Sequence, residues 1–221
     1  MFEVPRLKIR PGTGAYQKGQ ARVVEILEAA LDILLDEGYR AITMRRIAKA
    51  CGINVGNVTY YYPTKEALIR DLLASVLQSY MDIFDDIRDD PNLTAEEKFT
   101  QVIRLILEDI QTKKTTHFFP ELWALSNHDP FIAERVDELY FMVRKVLNHL
   151  IPLINPRLSE REREVVALFV SASMEGMTMF AGYNKPWAPR MREIEGIAVK
   201  SLLDCVKTIT SADIKRFAEK G

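Results

Sequence analysis

The chain has 221 residues, 48% of them hydrophobic, enough to bury a sizeable core, which excludes intrinsic disorder and leaves room for one or two domains. Lys and Arg number 30 against 31 Asp and Glu, which excludes a chain that is basic throughout. The balance is uneven, however. Residues 1–65 hold ten basic and six acidic side chains, a net of +4, and the remainder holds 20 against 25, a net of −5.

The first 16 residues carry two prolines and two glycines and read as a loose arm without the apolar stretch of a secretory signal. Arg6, Lys8, Arg10 and Lys18 make it either a basic tail for DNA or a solvated terminus. A first helix is expected from about Gln17 to Glu37. Val23, Leu27, Ala30, Leu31 and Leu34 form its apolar stripe, and Glu25, Glu28, Asp32 and Asp36 its wet face. Gly38 ends it. Thr43 then caps a short helix to about Cys51, with Ile42 and Ile47 at hydrophobic-staple spacing. Gly52 breaks that helix, Asn54 caps the next, and Pro63-Thr64 separates it from a fourth that runs from about Lys65 to Arg88.

Longer helices follow. Thr94 to Glu97 is a capping box that opens a helix to about Lys113, Pro120 to Asn127 reads as a short helix, and Pro130 starts one that runs to about Leu150. Residues 151–156 read as a linker. Ser159 to Glu162 is a second capping box, for a helix to about Gly182, and a loop with Pro186 and Pro189 leads to a last helix from about Arg192 to Thr208. About nine helices and no alternating strand pattern give an all-α fold. It divides into residues 1–65, an arm and a helix-turn-helix domain, and residues 66–221, a larger helical domain.

Residues 43–62 carry the chemistry. Two helices of about two turns joined by a tight Gly-containing turn form a helix-turn-helix. Val58 and Tyr62, one turn apart, are expected to face the core, which turns Gly56, Asn57 and Tyr60 outward with Thr59 and Tyr61 beside them. Such a helix fits the B-DNA major groove, about 12 Å wide. Gly56 allows close backbone approach, and Asn57, Thr59 and Tyr60 supply base-edge contacts. Thr43, Arg45, Tyr61 and Lys65 lie where phosphates would pass. The turn residues Asn54 and Val55 complete the DNA-binding set, and the helix starts at Thr43 and Thr64 add N–H donors.

The run from Thr43 through Gly52, Val55-Gly56-Asn57-Val58 and Tyr60-Tyr61-Tyr62-Pro63 to Leu68 closely resembles the DNA-binding signature of the TetR (tetracycline-repressor) family. The resemblance is specific over about residues 20–70. Thr59 replaces the usual tyrosine, Tyr61 and Tyr62 replace histidine and phenylalanine, and Arg46 stands where an acidic residue is common. The resemblance implies a homodimeric, ligand-responsive regulator, most often a repressor, that binds a palindromic double-stranded DNA operator and is released by a small-molecule effector.

In that frame the last two long helices supply the dimer contact, with Val165, Phe169, Ala172, Ile194, Ile197, Leu202 and Val206 as candidates; the same stripes could instead serve the subunit's own core. The middle helices would hold the effector among Phe118, Trp123, Phe131, Tyr140, Phe141, Met174, Glu175 and Met177, which also read as plain core. Glu175, inside an apolar run, either recognises a ligand group or bonds a neighbouring helix. His117, His128 and His149 have no metal-ligand spacing, Cys51 and Cys205 have no CxxC spacing, and no nucleophile or phosphate-loop motif occurs. No catalytic residue, metal or cofactor is therefore expected. The two distant cysteines suit a cytoplasmic protein, and no run of about 18 apolar residues calls for a membrane. The rival reading is a helical ligand-binding protein or enzyme whose front helices merely pack.

Overall fold

The computed structural model of the protein describes residues 17–219, and every regular element among them is a helix. In chain order these are α1 (Gln17–Glu37), a 3-10 turn (Tyr39–Ala41), α2 (Met44–Ala50), α3 (Val55–Tyr61), α4 (Lys65–Asp89), α5 (Ala95–Ile110) and α6 (Lys113–Ser126). Then come α7 (Pro130–Ile154), α8 (Glu160–Glu175), α9 (Thr178–Ala181), a 3-10 turn (Ala188–Arg190), α10 (Met191–Thr208) and α11 (Ser211–Ala218). The all-α expectation holds. The expected basic arm lies outside the described residues.

Four differences from the elements expected from sequence stand out. The helix expected from Pro120 begins at Lys113, because Thr112 accepts the N–H of Thr115 and starts it seven residues earlier; Pro120 sits inside the helix. Pro152 likewise falls inside α7, which continues to Ile154 through the expected linker. The helix expected to reach Gly182 stops at Glu175, and α9 is separate from it. Residues 160–181 together have the length and composition of a membrane span, although polar residues interrupt their apolar run. The fourth difference is α11, which follows a capping box in which Thr210 and Asp213 bond each other's backbone N–H.

The described residues form two compact units. One comprises residues 17–82 and His117–Tyr140. Its core takes Val23, Ile26, Leu27, Ala30 and Leu34 from α1, Ile47 from α2, Val58 from α3, Leu68 and Leu72 from α4, and Phe118 and Leu122 from α6, all buried. Each large apolar side chain removed from water stabilises the fold by about 1.5–3 kcal/mol before entropy is subtracted. The other unit comprises Ile83–Thr116 and residues 141–219. Here α5 packs on α10 and α8, burying Phe99, Val102, Ile103, Leu107 and Ile110. The buried Asn155 carboxamide donates to the carbonyls of Val206 and Ile209, both at 2.9 Å, and so ties the end of α10 to the end of α7.

Candidate nucleic-acid interface

The helix-turn-helix is built by two caps and one left-handed glycine. Thr43 Oγ1 accepts the N–H of Arg46 at 3.1 Å and Asn54 Oδ1 accepts that of Asn57 at 2.8 Å, each satisfying a donor that the first helical turn leaves orphaned. Between them Gly52 takes φ +65, and the N–H of Ile53 folds back to the carbonyl of Ala48 at 2.9 Å. A side chain at position 52 would be strained in that conformation.

α3 faces the way its period requires. Val58 is fully buried and Tyr62 nearly so, while Tyr60 is 80% exposed, Val55 37%, and Gly56 and Asn57 are exposed. The rings of Tyr60 and Tyr61 meet edge to face at 5.1 Å, which gives the outward face a two-ring rim. Thr59 Oγ1 donates to the carbonyls of Val55 at 3.2 Å and Gly56 at 3.1 Å, so this hydroxyl's proton is engaged within its own helix. A Cβ added at Gly56 would lie 3.3 Å from Asn54 Oδ1, so the small residue also keeps the cap open.

The two basic candidates for phosphate contact differ. Arg45 is exposed on α2. Lys65 instead donates to the carbonyl of Tyr39 at 3.1 Å with its ammonium 3.9 Å from the Tyr39 ring centre, a cation–π seat; burial lowers its pKa, against the raising effect of Glu66 and Asp129. Arg46 bonds Glu37 at 2.5 Å, so the basic residue at this position closes α2 onto the end of α1. Tyr62 donates to Asp71 at 3.3 Å, and burial first, then the Asp71 charge, pushes its pKa up.

Residues distant in sequence hold this platform. Glu121 accepts the N–H of Tyr39, and the ring Nδ1 of His117 meets the carbonyl of Leu35 at 2.8 Å, so that nitrogen carries the proton. Neither contact was legible from local pattern.

The candidate effector residues divide between the units. Phe118, Trp123, Phe131 and Tyr140 belong to the first, where Phe118 is fully buried and Trp123 donates to the Tyr140 hydroxyl at 2.8 Å. Phe131 lies beside the guanidinium of Arg70 at 5.5 Å. Phe141, Met174, Glu175 and Met177 belong to the second; Met174 is buried, Glu175 and Met177 are half-buried and Phe141 is exposed. Of the candidate dimer residues, Val165, Phe169, Ala172 and Ile197 are exposed and Ile194 is half-buried. Leu202 and Val206, expected on the same stripe, are buried within their own unit and present nothing to a partner. Leu168, absent from the expected set, is exposed beside Val165 and Phe169. Among the described residues no group of three His, Cys, Asp or Glu side chains is placed to hold a metal.

Residues 26–72 match the family of bacterial regulatory proteins of the tetR type. Residues 95–204 match the C-terminal part of the BetI-type transcriptional repressors. The chain belongs to the TetR family of transcriptional regulators. Membership brings a helix-turn-helix DNA-binding domain and a ligand-binding domain.

Among relatives of the chain, the HTH-type transcriptional regulator in the dhlA 5′ region of Xanthobacter autotrophicus is 24% identical over 170 residues, covering 74% of this chain and 81% of that protein. Two solved structures share the fold. A transcriptional regulator from Saccharomonospora viridis in complex with choline superposes with a TM-score of 0.60 at 17% identity, over 85% of this chain and 96% of that one. The regulator FadR from Bacillus subtilis in complex with stearoyl-CoA gives 0.62 at 15% identity, over 83% and 97%.

Proposed function

We propose that this TetR-family protein is a homodimeric repressor that binds a palindromic operator and leaves it when a small-molecule effector binds. The observation that carries the reading is α3 itself: a capped, core-anchored helix that presents Gly56, Asn57 and the exposed Tyr60 ring outward. One such helix covers a few base pairs, so two copies are needed for a site with half-sites a helical turn or more apart. Residues 1–65 serve DNA and residues 66–221 serve the effector and the partner. Asn57 and Tyr60 read base edges, Gly56 gives the backbone close approach, Arg45, Thr43 and Tyr61 meet phosphates, and Asn54 and Val55 set the entry of the helix.

The dimer contact in this reading is the exposed apolar stripe of α8, Val165, Leu168, Phe169 and Ala172, with Ile197 of α10. The effector is a small molecule, consistent with the choline and stearoyl-CoA held by two regulators of the same fold. It acts by binding better to a conformer whose recognition helices miss successive major grooves, since affinity equal for both conformers shifts nothing. The protein acts as a regulator rather than an enzyme and works in the cytoplasm.

The test is selection of bound genomic fragments followed by titration on the selected site. A palindromic site whose affinity falls steeply with salt supports the proposal. Failure to enrich any fragment, or equal affinity for random duplex, overturns it.

A further inference from the structure

Along one edge of α3 the hydrogen-bonding groups are already engaged. Asn54 Oδ1 accepts the N–H of Asn57 at 2.8 Å and closes the cap. The one proton of Thr59 Oγ1 is shared between the carbonyls of Val55 at 3.2 Å and Gly56 at 3.1 Å. Thr59 therefore cannot donate to a base without breaking a bond inside its own helix. What Val55 and Thr59, one turn apart, have left to present is hydrocarbon: an isopropyl group 37% exposed and the γ-methyl of a half-buried side chain. The core takes Val58 and Tyr62 from this helix instead.

We infer that Val55 and Thr59 read the 5-methyl group of thymine, so that each half-site carries thymine beneath this edge of α3. The inference rests on the proposal that α3 enters the major groove, and it names the base chemistry read there. Its ground is exclusion. Donors and acceptors fill the major-groove edges of all four base pairs, and the thymine methyl is the one alkyl group among them. An aliphatic surface laid on any other edge would strip water from polar groups without replacing its hydrogen bonds. The neighbouring Gly56 has no side chain to hold the pair off the bases. Thr59 is also a position at which this chain departs from the TetR signature, with threonine in place of tyrosine.

The test uses operator duplexes from the genomic selection in which deoxyuridine replaces thymine, one position at a time, in one half-site. The exchange removes the methyl, keeps every hydrogen-bonding group and leaves the protein untouched. Binding of the parent should weaken about three- to fivefold at one or two positions, the effect of one buried methyl. Thr59→Ser, which keeps the hydroxyl, and Val55→Ala should each bind the unmodified duplex more weakly and lose the sensitivity to deoxyuridine at one of those positions. Thr59→Val, which keeps the methyl and discards the hydroxyl, should bind as the parent does. Equal affinity for thymine and deoxyuridine duplexes, or a selected half-site without thymine, overturns the inference and leaves α3 as a reader of DNA. Deoxyuridine sensitivity undiminished in both Thr59→Ser and Val55→Ala overturns it too, as does a Thr59→Val that binds about tenfold more weakly, the loss expected if the hydroxyl read a base. A protein that enriches no fragment overturns the underlying reading as well.

Discussion

The backbone N–H of Tyr39 donates to Glu121 Oε1 at 2.9 Å, across 82 positions of sequence. The same carboxylate oxygen would lie 3.2 Å from a Cβ at Gly38, whose φ is +82. The end of α1 is thus closed by a charged acceptor that fits because the preceding residue is glycine. Replacing Glu121 with alanine leaves the Tyr39 donor unmet and should cost about 1–3 kcal/mol, while glutamine, which keeps the acceptor, should restore most of it. Gly38→Ala should cost a similar 1–3 kcal/mol, roughly, from backbone strain. Urea unfolding of the three variants measures both effects, and an alanine variant as stable as the parent would contradict the first.

Tyr60 and Asn54 separate recognition from folding. The Tyr60 ring is 80% exposed, so Tyr60→Ala should leave stability within about 0.5 kcal/mol of the parent. Combined with Asn57→Ala, it should weaken operator binding by about 1–3 kcal/mol for each base that is no longer read. Asn54→Ala removes the α3 cap and should cost about 1 kcal/mol of stability along with binding. Unchanged operator affinity in the Tyr60/Asn57 double variant would remove α3 from the interface.

Arg45 and Lys65 make opposite predictions. Arg45 is exposed and should meet one phosphate, so Arg45→Ala should flatten the slope of log affinity against log salt by about one. Lys65, seated on Tyr39, should show its removal chiefly as reduced thermal stability, with little change in the salt slope. Operator titrations over a salt series with parallel melts distinguish the two; a salt slope flattened as much in Lys65→Ala as in Arg45→Ala would mean that the ammonium leaves Tyr39 for DNA.

Tyr62 predicts an alkaline limit. Burial and the neighbouring Asp71 raise its pKa in the folded chain above the ordinary tyrosine value of about 10. The folded state therefore keeps the proton where the unfolded chain loses it. The stabilisation is whole below about pH 10 and is lost as pH climbs from there toward the folded-state value. Tyr62→Phe has no proton to lose, so its melts should decline less between about pH 10 and 11 than those of the parent. Identical alkaline profiles would contradict this.

Much of the site was legible because it is local. The Val58–Tyr62 spacing turned Asn57 and Tyr60 outward, and Thr43 and Asn54 announced both caps. What escaped depends on long-range contacts or on ambiguous punctuation. Lys65 has the sequence position of a phosphate ligand because nothing local reveals that Tyr39 lies beneath it. Pro120 and Pro152 read as boundaries since a proline fits a helix start as well as a tolerated interior, and only packing decides. Leu202 and Val206 satisfied a stripe that the fold turns inward. The Thr210–Asp213 box is the local signal for α11, and it is weak because the residues after it are mostly polar.

Glu121 and His117 have one more implication, for anyone who would graft this reader of DNA onto another protein. The compact body that contains α2 and α3 is assembled from residues 17–82 and His117–Tyr140, two separate stretches of gene. A fusion cut at residue 65 or 82 would carry the recognition helix away from the acceptor for Tyr39 and the donor for Leu35. The part proposed to read an operator is therefore not one continuous cassette: exchanging it for that of another regulator should require the second stretch to be exchanged or matched as well.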